Sequence, residues 1–273
     1  MFPKHHRDHI VPKFILKNFG PTLIVYDKEE KSKPFAANYE SAPAWEKDFE
    51  SVTVWHYLRV IDNQSSRAVI HLLRTKNPTS LSDKDRFWLN WFVGIQMVRT
   101  KRFRNILQKY MKRQNHEPLN LPEDKRAEVL MNEHARYVTD IGPKYTGLLS
   151  SMRFSLMVNQ TSYLFWISDN PVAIYDQMFS SKDNPNAGLL LKGLQIYFPL
   201  TPRLQLAFLE PSSYNPPAVV LLKQKEAKGI WLANNLQYES ANRFIFSSDG
   251  NFDFVNEILR DKEQRVELGI SQK

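Results

Sequence analysis

Apolar residues recur at helical spacing through the middle of the chain and at strand spacing after it. The pattern therefore predicts helices first and strands later. Val54–Arg74 has one apolar face and stops before Asn77-Pro78. Ser82-Asp83-Lys84-Asp85 reads as an N-terminal cap, with a carboxylate three places after the serine. One long helix is expected to follow, from about Lys84 to Arg113. Pro122 opens another, to about Ile141. At the front, Val11–Gly20 reads as a short helix, Leu23–Tyr26 as a strand, and residues 29–52 as irregular. After Gly147, strands are expected at Arg153–Val158, Ser162–Ile167, Leu194–Pro199, Leu204–Leu209 and Ala218–Leu222, with Asn159-Gln160-Thr161 as a hairpin turn. A helix from Glu226 to Tyr238, a strand at Arg243–Phe246 and a helix from Phe252 to Lys262 close the chain. Segregated elements of this kind imply an α+β fold, a helical middle region packed with a mainly antiparallel sheet formed largely by the C-terminal half. No repeat, low-complexity run or Gly/Ser linker interrupts it. One domain is expected over residues 1–273, helix-rich at 54–147, strand-rich at 148–250 and closed by the helix at 252–262.

Composition narrows the chemistry. The absence of cysteine excludes disulfides, thiolate metal sites, iron–sulfur clusters and a cysteine nucleophile. With no apolar leader and no membrane-length apolar run, the cytoplasm is the expected location. The net charge of +8 is concentrated. Between Arg86 and His116 lie Arg86, Arg99, Lys101, Arg102, Arg104, Lys109, Lys112 and Arg113 with no acid, and the rest of the chain is neutral. Such a stretch suits nucleic acid or another polyanion as partner.

Phosphate loops, dinucleotide fingerprints, nucleophile elbows and the His-Glu-x-x-His motif are all missing. Three constellations remain. His5, His6 and His9 leave a divalent metal open, although Pro12 starts the helix after them and no cofactor is otherwise evident. In the long helix, Trp88, Trp91, Phe92 and Ile95 form a stripe expected to continue through Phe103, Ile106 and Tyr110. Gln96 and Arg99 fall on or beside it, while Lys101, Arg102, Lys109, Lys112 and Arg113 lie on the other side. A buried Arg99 keeps its charge and must find acceptors. The sequence offers Asp169 first and Asp62 second. Finally, the apolar run Phe165-Trp166-Ile167 ends in Ser168-Asp169-Asn170-Pro171, which places Asp169 and Asn170 at a strand end.

These residues resemble a bacterial family catalogued as domain of unknown function 4238. Its opening, His-x-Val-Pro-x-x-x-Leu-x-x-Phe, matches His9, Val11, Pro12, Leu16 and Phe19. Its central Gln-x-x-Arg-Thr matches Gln96, Arg99 and Thr100, its Ser-Asp-Asn-Pro matches Ser168–Pro171, and its Phe-Pro-Leu-x-Pro matches Phe198–Pro202. A late Asn, Ala and aromatic strand match Asn234, Ala241 and Phe244. Where members usually carry a Glu after the first strand, this chain has Asp62. The resemblance covers nearly the whole chain, brings no activity with it, and draws attention to His9, Gln96, Arg99 and Asp169.

Two functions follow as expectations. One is a nuclease-like enzyme acting on nucleic acid or nucleotide phosphates, a phosphodiester hydrolase. His9 would move a proton, Gln96 and Asn170 would accompany it, Arg99 would hold phosphate, and Asp169 would orient His9 or hold a metal. The other is a non-catalytic module that binds nucleic acid or an acidic partner through Lys101, Arg102, Lys109, Lys112 and Arg113. An open pocket shared by His9, Arg99 and Asp169 would favour the first.

Overall fold

The computed structural model describes residues 7–31, 33–47, 49–113, 121–176 and 192–267. The opening segment forms β1 (Arg7–His9) and α1 (Lys13–Leu16), which runs on into a 3-10 turn over Lys17–Phe19. Then come β2 (Thr22–Asp27), β3 (Phe35–Asn38) and β4 (Trp45–Lys47). The stretch expected to be irregular therefore holds two short strands. β4 pairs antiparallel with β1, and β3 with β2.

Four helices follow: α2 (Val52–Thr75), α3 (Asp83–Gln96), α4 (Lys101–Arg113) and α5 (Glu123–Arg136). The cap read from sequence is in place: Ser82 accepts from Asp85 N. The structure adds a second at α2, where Ser51 accepts from Val54 N. The expected long helix from Lys84 to Arg113 is instead two helices. It breaks after Gln96, and Thr100 Oγ1 accepts from Phe103 N as the cap of α4. The break resets the helical phase, so the apolar stripe does not continue. Ile106 and Tyr110 are half exposed, and Leu107 takes the buried position. α5 passes through a π turn, Tyr137–Ile141, into α6 (Gly142–Ser151). α6 packs closely on α3: a Cβ on Gly142 would lie 2.5 Å from Ile95 Cδ1.

The C-terminal half supplies β5 (Arg153–Asn159), β6 (Ile167–Ser168), β7 (Ala173–Asp176), β8 (Leu194–Thr201), β9 (Leu204–Leu209) and β10 (Val219–Leu222), then α7 (Ala227–Ser240), β11 (Phe244–Ser247) and α8 (Asp253–Glu267). The fold is α+β, as the segregated pattern implied. One sheet runs β10-β5-β9-β8-β7, antiparallel except for the β5–β10 pair. A second runs β3-β2-β11-β6, so the two ends of the chain share it. The expected hairpin at Asn159–Thr161 does not form, because β5 lies between β9 and β10. Of the strand expected at Ser162–Ile167, only Ile167 pairs, with Ser168 beside it. The preceding backbone is taken by side chains: Asn234 accepts from Trp166 N and donates to Leu164 O.

The larger apolar core lies between α1, α2, α3 and the five-stranded sheet, with Phe92 edge-on to Phe198. A smaller one forms where α7 and α8 cover Phe165, Trp166 and Ile245. Among the described residues no helix is long and apolar enough to cross a membrane.

The loop after β9 is fixed by Glu210. Its carboxylate accepts from the hydroxyls and N–H groups of Ser212 and Ser213 and from Gly193 N. These bonds, the Ser213 hydroxyl foremost, hold the Glu210 carboxyl down to about 2. A depressed folded-state pKa contributes stability that is present above the unfolded value of ~4.3 and is lost as pH falls through the folded value. Glu210→Gln should therefore lower Tm at neutral pH, and the gap to wild type should close between pH ~4.3 and ~2. A gap that stays constant down to pH ~2 in parallel melts would show that the ionised carboxylate is not what matters.

Candidate active site

The break between α3 and α4 organises the site. Gln96 at the end of α3 is fully buried, and its Nε2 donates to Ile10 O at 2.8 Å. Arg99 donates through Nη2 to His9 O at 2.8 Å and through Nη1 to Asp62 Oδ1 at 2.8 Å. Thr100 Oγ1 donates to Asn170 Oδ1 at 2.6 Å. The turn between the helices thus grips the opening strand on one side and the Ser-Asp-Asn-Pro turn on the other.

Arg99 is buried, as the helical face required, but its partner is Asp62 on α2 and not Asp169. Burial pushes the Asp62 carboxyl up from its ordinary value, against the pull of the Arg99 guanidinium. Asp169 is occupied elsewhere. Its two oxygens accept from Asn242 N at 2.7 Å, Arg243 N at 2.9 Å and Phe244 N at 3.0 Å, which fixes the start of β11. Burial pushes its pKa up while those three N–H groups pull it down, and burial prevails.

Two clefts result, with Ile10 in the wall of both. The first, about 310 Å³, opens between β1 and α2. Its floor is formed by Asp8, Glu50, Phe49 and Arg99, and Lys13, Trp55 and Arg59 stand at the rim. His9 and Asp62 line it too. The second, about 220 Å³, holds Asp169 with Lys101, Glu46 and Asn242. The expected meeting of His9, Arg99 and Asp169 therefore does not occur. His9 and Arg99 share a cleft, and Asp169 lies in the other. Asn170 and Gln96 line neither, and serve as acceptor and donor in the core.

Behind the first cleft lies a charged network the sequence did not announce. Asp8 Oδ2 accepts from Glu50 N at 2.9 Å. Arg104 on α4 stacks over the Phe49 ring, approaches Glu50 at 3.5 Å and meets His134 Nδ1 at 2.9 Å. His134 on α5 is fully buried. Its Nε2–H donates to Val98 O at 2.8 Å, and its Nδ1 lies 3.0 Å from Glu50 Oε1. Burial lowers the Arg104 pKa, and Glu50 and Asp8 oppose that. Glu50 was hidden in a stretch without periodicity. His134 carried a signal, since it stands four residues from both Leu130 and Val138 on the inward face of its helix.

The basic stretch divides in two. Lys101 pairs with Glu46 at 2.6 Å, and Arg102 donates to Glu239 O and Ala241 O. Arg99 and Arg104 likewise meet partners within the chain, and Arg86 lies over the Phe154 ring. Lys109, Lys112 and Arg113 are exposed at the C-terminal end of α4, where cations also suit the helix dipole. Among the described residues no three His, Asp or Glu side chains are arranged to hold a metal ion. His5 and His6 lie outside those residues.

A family model matches residues 7–251, from β1 to just past β11. The chain belongs to the DUF4238 family. The family's description is protein of unknown function. No curated protein and no solved structure matches the chain. In this DUF4238 member, the residues that carried the resemblance prove to be in large part fasteners. Gln96, Arg99 and Thr100 hold the opening strand and the Asn170 turn. Ser168 and Pro171 meet Gln237 on α7 through Ser168 Oγ and Pro171 O. His9 and the Arg99–Asp62 pair also open on a cleft.

Proposed function

We propose that the cleft between β1 and α2 is the active site of a phosphodiester hydrolase acting on nucleotide or nucleic-acid phosphates, with His9 as the group that moves a proton. The observation that supports this most is the density of ionisable groups around one cleft. Burying charge is costly, and such clusters are found where chemistry needs them. Asp8, Glu50 and Asp62 lie close to two guanidiniums, Arg99 and Arg104, with Lys13 and Arg59 at the rim and His9 in the wall. In the proposed step His9 accepts a proton from water, the water oxygen bonds to phosphorus, the bond to the leaving oxygen breaks, and that oxygen takes the proton from His9. Lys13 and Arg59 at the rim would receive the phosphate, and Asp62 would hold the Arg99 fork in place. The lack of cysteine supports a cytoplasmic setting.

The test is hydrolysis of bis-p-nitrophenyl phosphate and of short single-stranded RNA and DNA. His9→Ala should lower kcat by about 100-fold or more with little change in Tm. Inactive wild-type protein, or an active His9→Ala variant, would reject the reading.

The exposed Lys109, Lys112 and Arg113 support a second reading, a non-catalytic polyanion-binding face. Affinity for a single-stranded oligomer should then fall with salt, and replacing all three by Ala should flatten the log–log slope by roughly 2. An unchanged slope would remove this face from consideration.

A further inference from the structure

A third cleft, about 560 Å³, lies away from both sites above, where the C-terminal end of α6 and the start of β5 meet the loop after β9. Two arginines line it from different elements, Arg86 in the first turn of α3 and Arg153 at the start of β5. No acid lines it. The nearest carboxylates in sequence are occupied: Asp85 accepts from the Ser82 hydroxyl, and Glu210 is saturated by its own turn. Among the described residues neither arginine has an ion-pair partner. Arg86 is held over the Phe154 ring, 5.1 Å from its centroid, and Arg153 is exposed.

Pro211 and Pro216 from the loop after β9 line it together with Met152 and Phe154, and Ser150, Ser151 and Asn215 add polar groups. Glu210 fixes one end of this loop. At the other end, Ser155 Oγ donates to Pro217 O at 2.7 Å and Leu156 N to Ala218 O at 2.9 Å. A wall ordered before a ligand arrives costs little further ordering on binding.

We propose that this cleft is a second ligand site, for a small organic phosphate monoester carrying a ring. Two guanidinium forks from separate elements carry two positive charges, which a phosphate dianion with three free oxygens matches more fully than a carboxylate with one charge and two oxygens. The ring would lie against Met152 and the two prolines. The assignment does not depend on the hydrolase reading, because no residue of the cleft between β1 and α2 takes part.

The experiment is titration of the full chain with phenyl phosphate and with inorganic phosphate, by calorimetry and by shift in Tm. Phenyl phosphate should bind at millimolar concentration or below, about tenfold more tightly than inorganic phosphate. Arg86→Ala/Arg153→Ala should weaken it by about tenfold or more. Lys13→Ala/Arg59→Ala removes only whatever phosphate binds in the other cleft and should leave the binding that depends on Arg86 and Arg153 unchanged. Arg153→Glu alters only an exposed side chain and should also abolish binding, which guards against misfolding of the double variant. Undiminished binding by the arginine variants, loss confined to the Lys13/Arg59 variant, no binding at all, or equal binding of the two probes would each overturn the assignment.

Discussion

Arg99→Ala should cost about 3–5 kcal/mol, toward the lower end of that range. The change leaves Asp62 without its ion partner and His9 O without its donor. It also removes the bond that holds β1 against the turn between α3 and α4. The Asp62 side chain is 20% exposed, so water can reach part of the orphaned carboxylate, which moderates the loss. For a chain of this size the shift corresponds to a Tm lower by roughly 5–9 °C. Arg99→Lys should recover part of it, because an ammonium can meet Asp62 or His9 O but lacks the planar fork that meets both. Arg99→Ala/Asp62→Ala should be more stable than the sum of the two single losses predicts, since the double variant buries no unpaired charge. Strict additivity in that cycle would mean that the pair contributes nothing as a pair.

Asp169→Ala should come next, at about 3 kcal/mol. It strands the N–H groups of Asn242, Arg243 and Phe244, and each orphaned buried donor costs about 1–3 kcal/mol before water enters the space. Asp169→Asn should lose about half as much. Its carbonyl can take the place of Oδ2, which receives Arg243 and Phe244, but its amide then confronts Asn242 N, a donor facing a donor. Hydrogen exchange gives the local readout: the amides of residues 242–244 should lose protection in the alanine variant. Unchanged protection, with Tm within about 1 °C of wild type, would show that this carboxylate does not anchor β11.

Both variants concern residues the sequence pointed to, and both show where its legibility ends. The cap at Ser82 was readable because it acts on backbone three residues away. The break after Gln96 was not, because residues 96–103 contain nothing that disfavours helix strongly. The chain turns there because Gln96 and Arg99 bind backbone about 90 residues upstream, a tertiary demand without local trace. Helical phase placed Arg99 in the interior but could not say which neighbour it would meet. α2 packs on α3 and brings Asp62, while Asp169 was already satisfied by backbone. The same limit applied to the basic stretch. Its charge was plain in the sequence, but the inward use of Lys101, Arg102 and Arg104 depends on acids and carbonyls contributed by distant elements.

The pairing of β2 with β11 has a consequence for how this chain is made. Tyr26 lies opposite Ile245 and Val25 opposite Phe246. On the ribosome, β2 is complete more than 200 residues before its partner emerges. Until then Leu23 and Val25, fully buried in the finished fold, have only the short β3 hairpin beside them. Closing so long a loop is entropically costly and slow. The opening segment therefore waits, exposed, for the end of the chain. It is the part most in need of a chaperone during synthesis, and an early stop before residue 244 would leave it without its sheet.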